Sequence, residues 1–305
     1  MRIADAHCDT LYEMALCHTP YQDCCVTLDR MRKGGVGLQT FALFCGKHGT
    51  EGTPYQDGLS MLKASYDLPL PVLRGALPDA FPDEPTGIIS CEGGEMLEGS
   101  VERLYEFDRD SRLRMIALTW NFENELGHPG KGGSTEGLKP AGKAMLRAMD
   151  RLGVLPDCSH LNDAGFWDVC EEAALPPIAS HSNCRWLCGH SRNLTKDMVR
   201  AIVERKGFIG INFYKEFLTE GDRCTLDDVL RHIDALCELG AEDVIGFGSD
   251  FDGIESWPEG LATPADFPNL LDALSAHGYT DAQLEKFSHG NLWRVLKEAE
   301  SKRAV

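Results

Sequence analysis

The chain repeatedly places imidazoles and carboxylates just past short apolar runs, and such groups bind divalent metals or move protons. The first run ends in Asp5-Ala6-His7-Cys8-Asp9, where His7 and Asp9 stand two apart and so share one side of an extended backbone. Later runs end in Cys91-Glu92-Gly93-Gly94, in Asp157-Cys158-Ser159-His160, in Ser180-His181-Ser182 and in Gly248-Ser249-Asp250-Phe251-Asp252-Gly253. Singly, each has a plain structural reading: a hydrogen-bonded histidine, a turn acid, a turn built from Asp and Gly. Together, three histidines and three carboxylates in an otherwise apolar core are costly to bury without a cation or mutual pairing. Five ligands exceed what one tetrahedral catalytic zinc uses, since such a site keeps a position open. Two ions sharing a bridging carboxylate, about 3.5–4 Å apart and clamping a hydroxide, fit the set better.

The elements that must position these groups are eight short apolar runs: Arg2–His7, Val36–Phe44, Gly87–Cys91, Met115–Trp120, Val154–Ser159, Pro177–His181, Phe208–Phe213 and Val244–Ser249. Brief continuous runs suit strands buried on both faces of a parallel sheet. Segments of helical composition fill the gaps, with N-caps expected at Thr27, Asp163, Thr195 and Thr225 and a last helix over 280–300. Alternating strands and helices predict an α/β fold, a single (β/α)8 TIM barrel over 1–305, whose strand C-termini converge on one face. No GxGxxG or GxxxxGK[ST] follows the first strand, so the usual nucleotide-binding reasons for an open doubly wound sheet are missing. The proline-rich stretch Asp67–Pro85 is expected as an exposed connection.

Charge narrows the partners. With 30 Lys+Arg against 48 Asp+Glu the formal net charge is −18 over 305 residues, which excludes nucleic acid and argues against anionic membrane surfaces. No long apolar span exists, and the acid-bearing start MRIADAHCDT lacks the apolar core of an export signal, so a cytoplasmic location is expected. The twelve cysteines contain no CxxC pair and are read as reduced, the Cys184/Cys188 spacing included.

The D-x-H-x-D start, E-G-G, the two Ser-His pairs, the SHS…RN segment, GFGSDFDG and the late GN-x-x-R-V, in this order from Asp5 to about Val295, resemble the membrane (renal) dipeptidase family of zinc metallopeptidases, a branch of the amidohydrolase-like barrel hydrolases. The resemblance implies two Zn2+ per chain, with His7 and Asp9 on one, His160 and His181 on the other and Glu92 bridging them. It implies a small dipeptide as substrate, including dipeptides with a C-terminal D-residue, cleaved by attack of a zinc-bridging hydroxide. Asp250 is then the acid that passes the proton to the leaving amine, and Arg192 the arginine that receives the substrate's C-terminal carboxylate. Tyr214 matches a tyrosine near the substrate, and the family implies a homodimer.

One departure is Leu118-Thr119-Trp120, where better-known members carry LTH. Losing that histidine as an oxyanion donor costs on the order of 10²–10³ in rate unless something replaces it. Trp120, read as a substrate-side residue, keeps alive a binuclear amidohydrolase acting on a lactone, cyclic amide or nucleobase, since an aromatic wall suits a planar ligand. A third reading is a metal-binding sensor without catalysis, against which an intact Asp250 weighs. The Gly-rich GHPGKGGSTEG after the fourth strand is read as a lid, His190 and His289 as structural, and Trp167 and Trp186 as packing residues.

Overall fold

The computed structural model describes residues 1–46 and 52–304. Eight parallel strands, β1 (Ile3–Asp5), β2 (Val36–Phe44), β3 (Thr86–Glu92), β4 (Met115–Ala117), β5 (Leu155–Asp157), β6 (Ile178–Ala179), β7 (Phe208–Ile211) and β8 (Ile245–Phe247), close in sequence order into a barrel. The seam is the β1–β8 pair, with Asp5 beside Phe247. All eight apolar runs contain strands, most of them trimmed at the end where polar groups turn into the loops. Helices α1 (Thr10–Ala15) and α2 (Leu28–Gly34) follow β1, α3 (Pro54–Ala64) follows β2, and α4 (Val101–Ser111) to α7 come one per connection as α5 (Pro140–Leu152), α6 (Asp163–Glu172) and α7 (Lys196–Glu204). After β7 stand α8 (Lys215–Leu218) and α9 (Leu226–Cys237), and after β8 come α10 (Phe267–His277), α11 (Asp281–Glu285) and α12 (Asn291–Ser301).

The helices begin where side chains satisfy their free N–H groups. Thr27 accepts from the Arg30 N–H, Thr195 from the Met198 N–H, and Asp228 accepts the Thr225 N–H. At α6 the cap is Asn162 rather than Asp163: Asn162 accepts the Gly165 N–H at 2.8 Å, and Asp163 occupies the first turn, where a negative charge is also favoured. The helix over 280–300 is not uniform, since a π-helical turn at Lys286–Gly290 joins α11 to α12. Helices α1, α8 and α10 add to the expected set. In α10, Pro268 sits in the first turn, where its missing N–H has no intrahelical partner to lose.

The larger apolar core lies between strands and helices, and a second cluster takes one residue from each of seven strands: Ala4, Leu38, Ile88, Met115, Leu155, Ile178 and Phe208. Leu292, Val295, Leu296 and Ala299 of α12 join it and cover the end from which the strands start. Chemistry is therefore left to the opposite mouth. The stretch Asp67–Pro85 is not simply exposed: Leu68, Leu70 and Leu77 are buried, and Val72 bridges to Gly87. Trp167 is exposed on α6, because its neighbour Phe166 takes the inward position. Trp186 does pack on the core. All twelve cysteines are free. No helix among the described residues is long and apolar enough to cross a membrane.

Candidate active site

Barrel closure brings the predicted groups to one buried cluster. Glu92, the last residue of β3, lies between the imidazoles: its Oε1 is 2.7 Å from His160 Nε2 and 3.4 Å from His181 Nε2, while its Oε2 is 3.4 Å from His7 Nε2. Also around His7 Nε2 stand Asp9 Oδ2 at 3.5 Å and Asp250 Oδ1 at 3.7 Å. All six residues are buried. His7 Nε2 and Asp9 Oδ1 have no hydrogen-bond partner, and His160 Nε2 faces His181 Nε2 at 3.1 Å. Imidazole nitrogens and carboxylate oxygens that converge on one buried spot, two of them without a hydrogen-bond partner, are what a cation resolves, so the donor set fits divalent-metal binding. The clusters His7–Glu92–His181 and His7–Asp9–Asp250 have the compactness of ligand sets.

The turn after β8 is shaped for this purpose. Asp250 and Asp252 both hold positive φ, +66° and +67°, a conformation Asp adopts more readily than most residues. Gly253 leaves room for the cluster, since a Cβ there would push on the carboxylates of Asp9 and Asp250. Asp252 does other work: it accepts from Thr10 Oγ1 at 2.6 Å, the Cys25 N–H at 2.5 Å and the Val26 N–H at 3.1 Å, stapling the β1–α2 loop to the mouth.

Behind the cluster lies a set of supports that the sequence reading missed. Asp157, ending β5, accepts the Ser180 hydroxyl, the Ser180 N–H at 3.0 Å, and the Ser159 hydroxyl at 2.7 Å. Because the Ser180 proton goes to Asp157, its oxygen receives His181 Nδ1–H at 2.7 Å, which leaves Nε2 bare and facing Glu92. His160 Nδ1 meets Asn121 Oδ1 at 3.1 Å, with the same consequence for its Nε2. Across the barrel, Asp5 accepts Ser249 N–H at 2.8 Å and Ser249 Oγ at 2.5 Å, and Asn212 Nδ2 donates to Asp250 Oδ2 at 2.9 Å. The available signal was the repeated Ser-His pair at Ser159-His160 and Ser180-His181, with Asp157 two residues before the first.

Electrostatics follow burial. Burial lowers His160 to about 4, helped by the Arg192 charge, and holds His181 well below the usual imidazole value, so both are neutral, the state in which an imidazole can bind a metal. Burial also opposes a charge on His7, but Glu92 and Asp9 beside it win and raise its pKa well above normal. Burial would raise Glu92 too, yet the charge of His7 and the imidazoles of His160 and His181 packed around it hold it well below the carboxylate range. Asp9 and Asp250 are pushed upward, chiefly by burial.

A cavity of about 660 Å³ opens above the cluster, lined by Asp9, Glu92, His160 and Asp250 below and by Arg192, Tyr214 and Trp120 on its sides. Arg192 Nη2 lies 3.0 Å from His160 Nε2 and its Nη1 donates to Ser182 Oγ at 3.4 Å; burial lowers its pKa to about 10, and it remains a cation at neutral pH. Tyr214 donates its hydroxyl to Glu255 Oε1 at 3.1 Å. Of the Gly-rich segment after β4, Lys131 reaches the cavity wall, while His128 Nδ1 meets Gly137 O at 2.9 Å and Gly130 N–H donates to His160 O at 2.8 Å, anchoring the loop at its base. His190 accepts the Arg192 N–H at 3.2 Å and packs on Phe217, while His289 packs on Phe81.

Comparison with known proteins gives the same picture. The whole chain, residues 1–305, matches the family model described as membrane dipeptidase, peptidase family M19. An uncharacterised protein from the pqqA 5′ region of Klebsiella pneumoniae is 37% identical over 220 residues, 69% of this chain and 80% of its own. A metallopeptidase from Rhodobacter sphaeroides, solved with a phosphinate mimic of the dipeptide L-Ala-D-Ala, is 26% identical with a TM-score of 0.88, over 98% of this chain and 99% of the other. A second solved structure, a dipeptidase and metallopeptidase of family M19, is 27% identical with a TM-score of 0.88 over 98% of each chain. The chain belongs to the membrane dipeptidase family, peptidase family M19, and is a metallopeptidase built on a (β/α)8 barrel.

Proposed function

We propose that this enzyme hydrolyses the amide bond of dipeptides, including those with a C-terminal D-residue, at a pair of zinc ions. The observation that carries the reading is the division of Glu92, one oxygen toward His160 and His181 and the other toward His7, as a bridging carboxylate requires. His7 and Asp9 would hold one ion, His160 and His181 the other. When bound, such a pair supplies Lewis acidity, making a water nucleophilic near neutral pH and polarising the scissile carbonyl. Asp250, 3.7 Å from His7 Nε2 and oriented by Asn212, is placed to take the proton from that water and deliver it to the departing nitrogen. Arg192 offers a guanidinium fork at the cavity wall for the free carboxylate, and so limits the length of what fits. Tyr214 and Trp120 flank the bound substrate. The L-Ala-D-Ala mimic bound by the Rhodobacter protein supports a tolerance for D-residues in this chain as well.

The test pairs metal analysis with a hydrolysis panel. About two zinc equivalents per chain are expected, with turnover of dipeptides and little turnover of the same dipeptides amidated at the C-terminus. Lactones cleaved in preference to dipeptides would overturn the reading.

A further inference from the structure

We propose that the N-terminal residue of the dipeptide lies against an aromatic wall formed by Tyr12, Phe44 and Trp120, and that the enzyme selects a broad apolar or aromatic side chain there. The inference rests on Arg192 as the carboxylate anchor proposed above. In a closed barrel of eight strands taken in order, β2 stands four strands from β6 in either direction. The Arg192 guanidinium sits over the β5–β6 side, against His160 Nε2 and Ser182 Oγ. A dipeptide held there by its carboxylate, with its amide over Glu92 and Asp250, must send its first residue toward the opposite rim.

That rim is aromatic. Phe44 ends β2 as the register partner of Glu92, one strand spacing of about 4.8 Å away. Its ring centroid is 4.8 Å from that of Trp120 and 5.0 Å from that of Tyr12, tilted by 60° and 51°. All three rings are half-buried and line the cavity. The opposite half of the rim is mixed: Phe217 and His190 line it too, but there the Arg192 cation, Glu216 and the Tyr214–Glu255 pair stand among the rings. Trp120 thus finds a use in place of the family histidine, as one end of a surface that grips a side chain. Glu13 stands at the edge of the wall, where it accepts Thr19 Oγ1 at 2.7 Å, and its charge disfavours an acidic side chain in the same place.

Burying a leucine-sized side chain against such a wall is worth roughly ten- to a hundredfold in kcat/KM. The experiment compares kcat/KM for Gly-Ala, Leu-Ala, Phe-Ala, Asp-Ala and Arg-Ala on the zinc-loaded wild type, Phe44→Ala and Phe44→Tyr, with zinc content and thermal unfolding measured in parallel. The expected result is a preference of roughly tenfold or more for Leu-Ala and Phe-Ala over Gly-Ala, with Asp-Ala poorest. In Phe44→Ala that ratio falls to within about twofold of unity, and Phe44→Tyr restores it; loss of folding alone would lower all rates without changing the ratio. A flat profile in the wild type, Arg-Ala as the best substrate, or a preference that survives Phe44→Ala overturns this inference alone. Failure to cleave any dipeptide overturns it together with the proposed function.

Discussion

Removing the Ser180 hydroxyl should weaken metal binding while leaving every proposed ligand in place. Ser180 is fully buried and passes its proton to Asp157 while receiving His181 Nδ1–H at 2.7 Å. In Ser180→Ala the imidazole loses the acceptor that keeps its proton on Nδ1, and nothing else then holds Nε2 bare. One intramolecular hydrogen bond contributes about 1 kcal/mol net, and a buried group left without a partner costs about 1–3 kcal/mol. Asp157 retains the Ser180 N–H and the Ser159 hydroxyl, so its part of the loss is at the low end. The sum is about 2–4 kcal/mol, and the part of it that falls on the orientation of His181, about 1.4–2.7 kcal/mol, corresponds to a ten- to hundredfold loss of zinc affinity, the range typical of groups that orient a metal ligand. Competition against a chromophoric chelator measures it, with thermal unfolding of the metal-free protein as control. A zinc affinity unchanged within about threefold in a folded Ser180→Ala protein would refute the tautomer argument, whatever happened to turnover.

Three other outcomes are expected. Asp250→Asn should keep its zinc but lose on the order of 10²–10⁴ in kcat, because the amide oxygen still accepts from Asn212 yet cannot take up and release a proton; full activity by stopped assay removes its assigned role. Gly253→Ala should lower zinc affinity by on the order of tenfold or more, since the added methyl displaces the carboxylates of Asp9 and Asp250; calorimetric titration with zinc would expose the contrary. His232 is buried, accepts the Cys184 N–H at 3.0 Å, donates to Leu218 O at 3.0 Å, and is lowered by burial from 6.5 to about 4. Its folded pKa lies below the unfolded one, so the unfolded chain takes the proton first, and stability present above pH 6.5 drains as pH falls toward 4, by up to about 3 kcal/mol. Denaturant midpoints for His232→Leu should be lower at pH 7 yet less dependent on pH over that window, and an equally steep decline would contradict this.

Much of the architecture was legible locally. Short apolar runs marked all eight strands because burial on both faces demands it, and Thr-led caps marked α2, α7 and α9 because the first free N–H groups need acceptors. The six polar residues of the cluster could be named for the same reason: ionisable groups stand out at the ends of apolar strands. That Glu92 lies between His7 and the His160–His181 pair was implied by the family resemblance and not by chain order, which also could not say that Ser180 hands its proton to Asp157 across 23 residues. Chain order did not predict α1, too short for a periodic signal, or the seat of Phe44 across the mouth from Arg192. Periodicity and capping are properties of a few neighbouring residues, whereas close approaches between groups as far apart in the chain as His7 and Asp250 exist only once β1 pairs with β8 and the ring is shut.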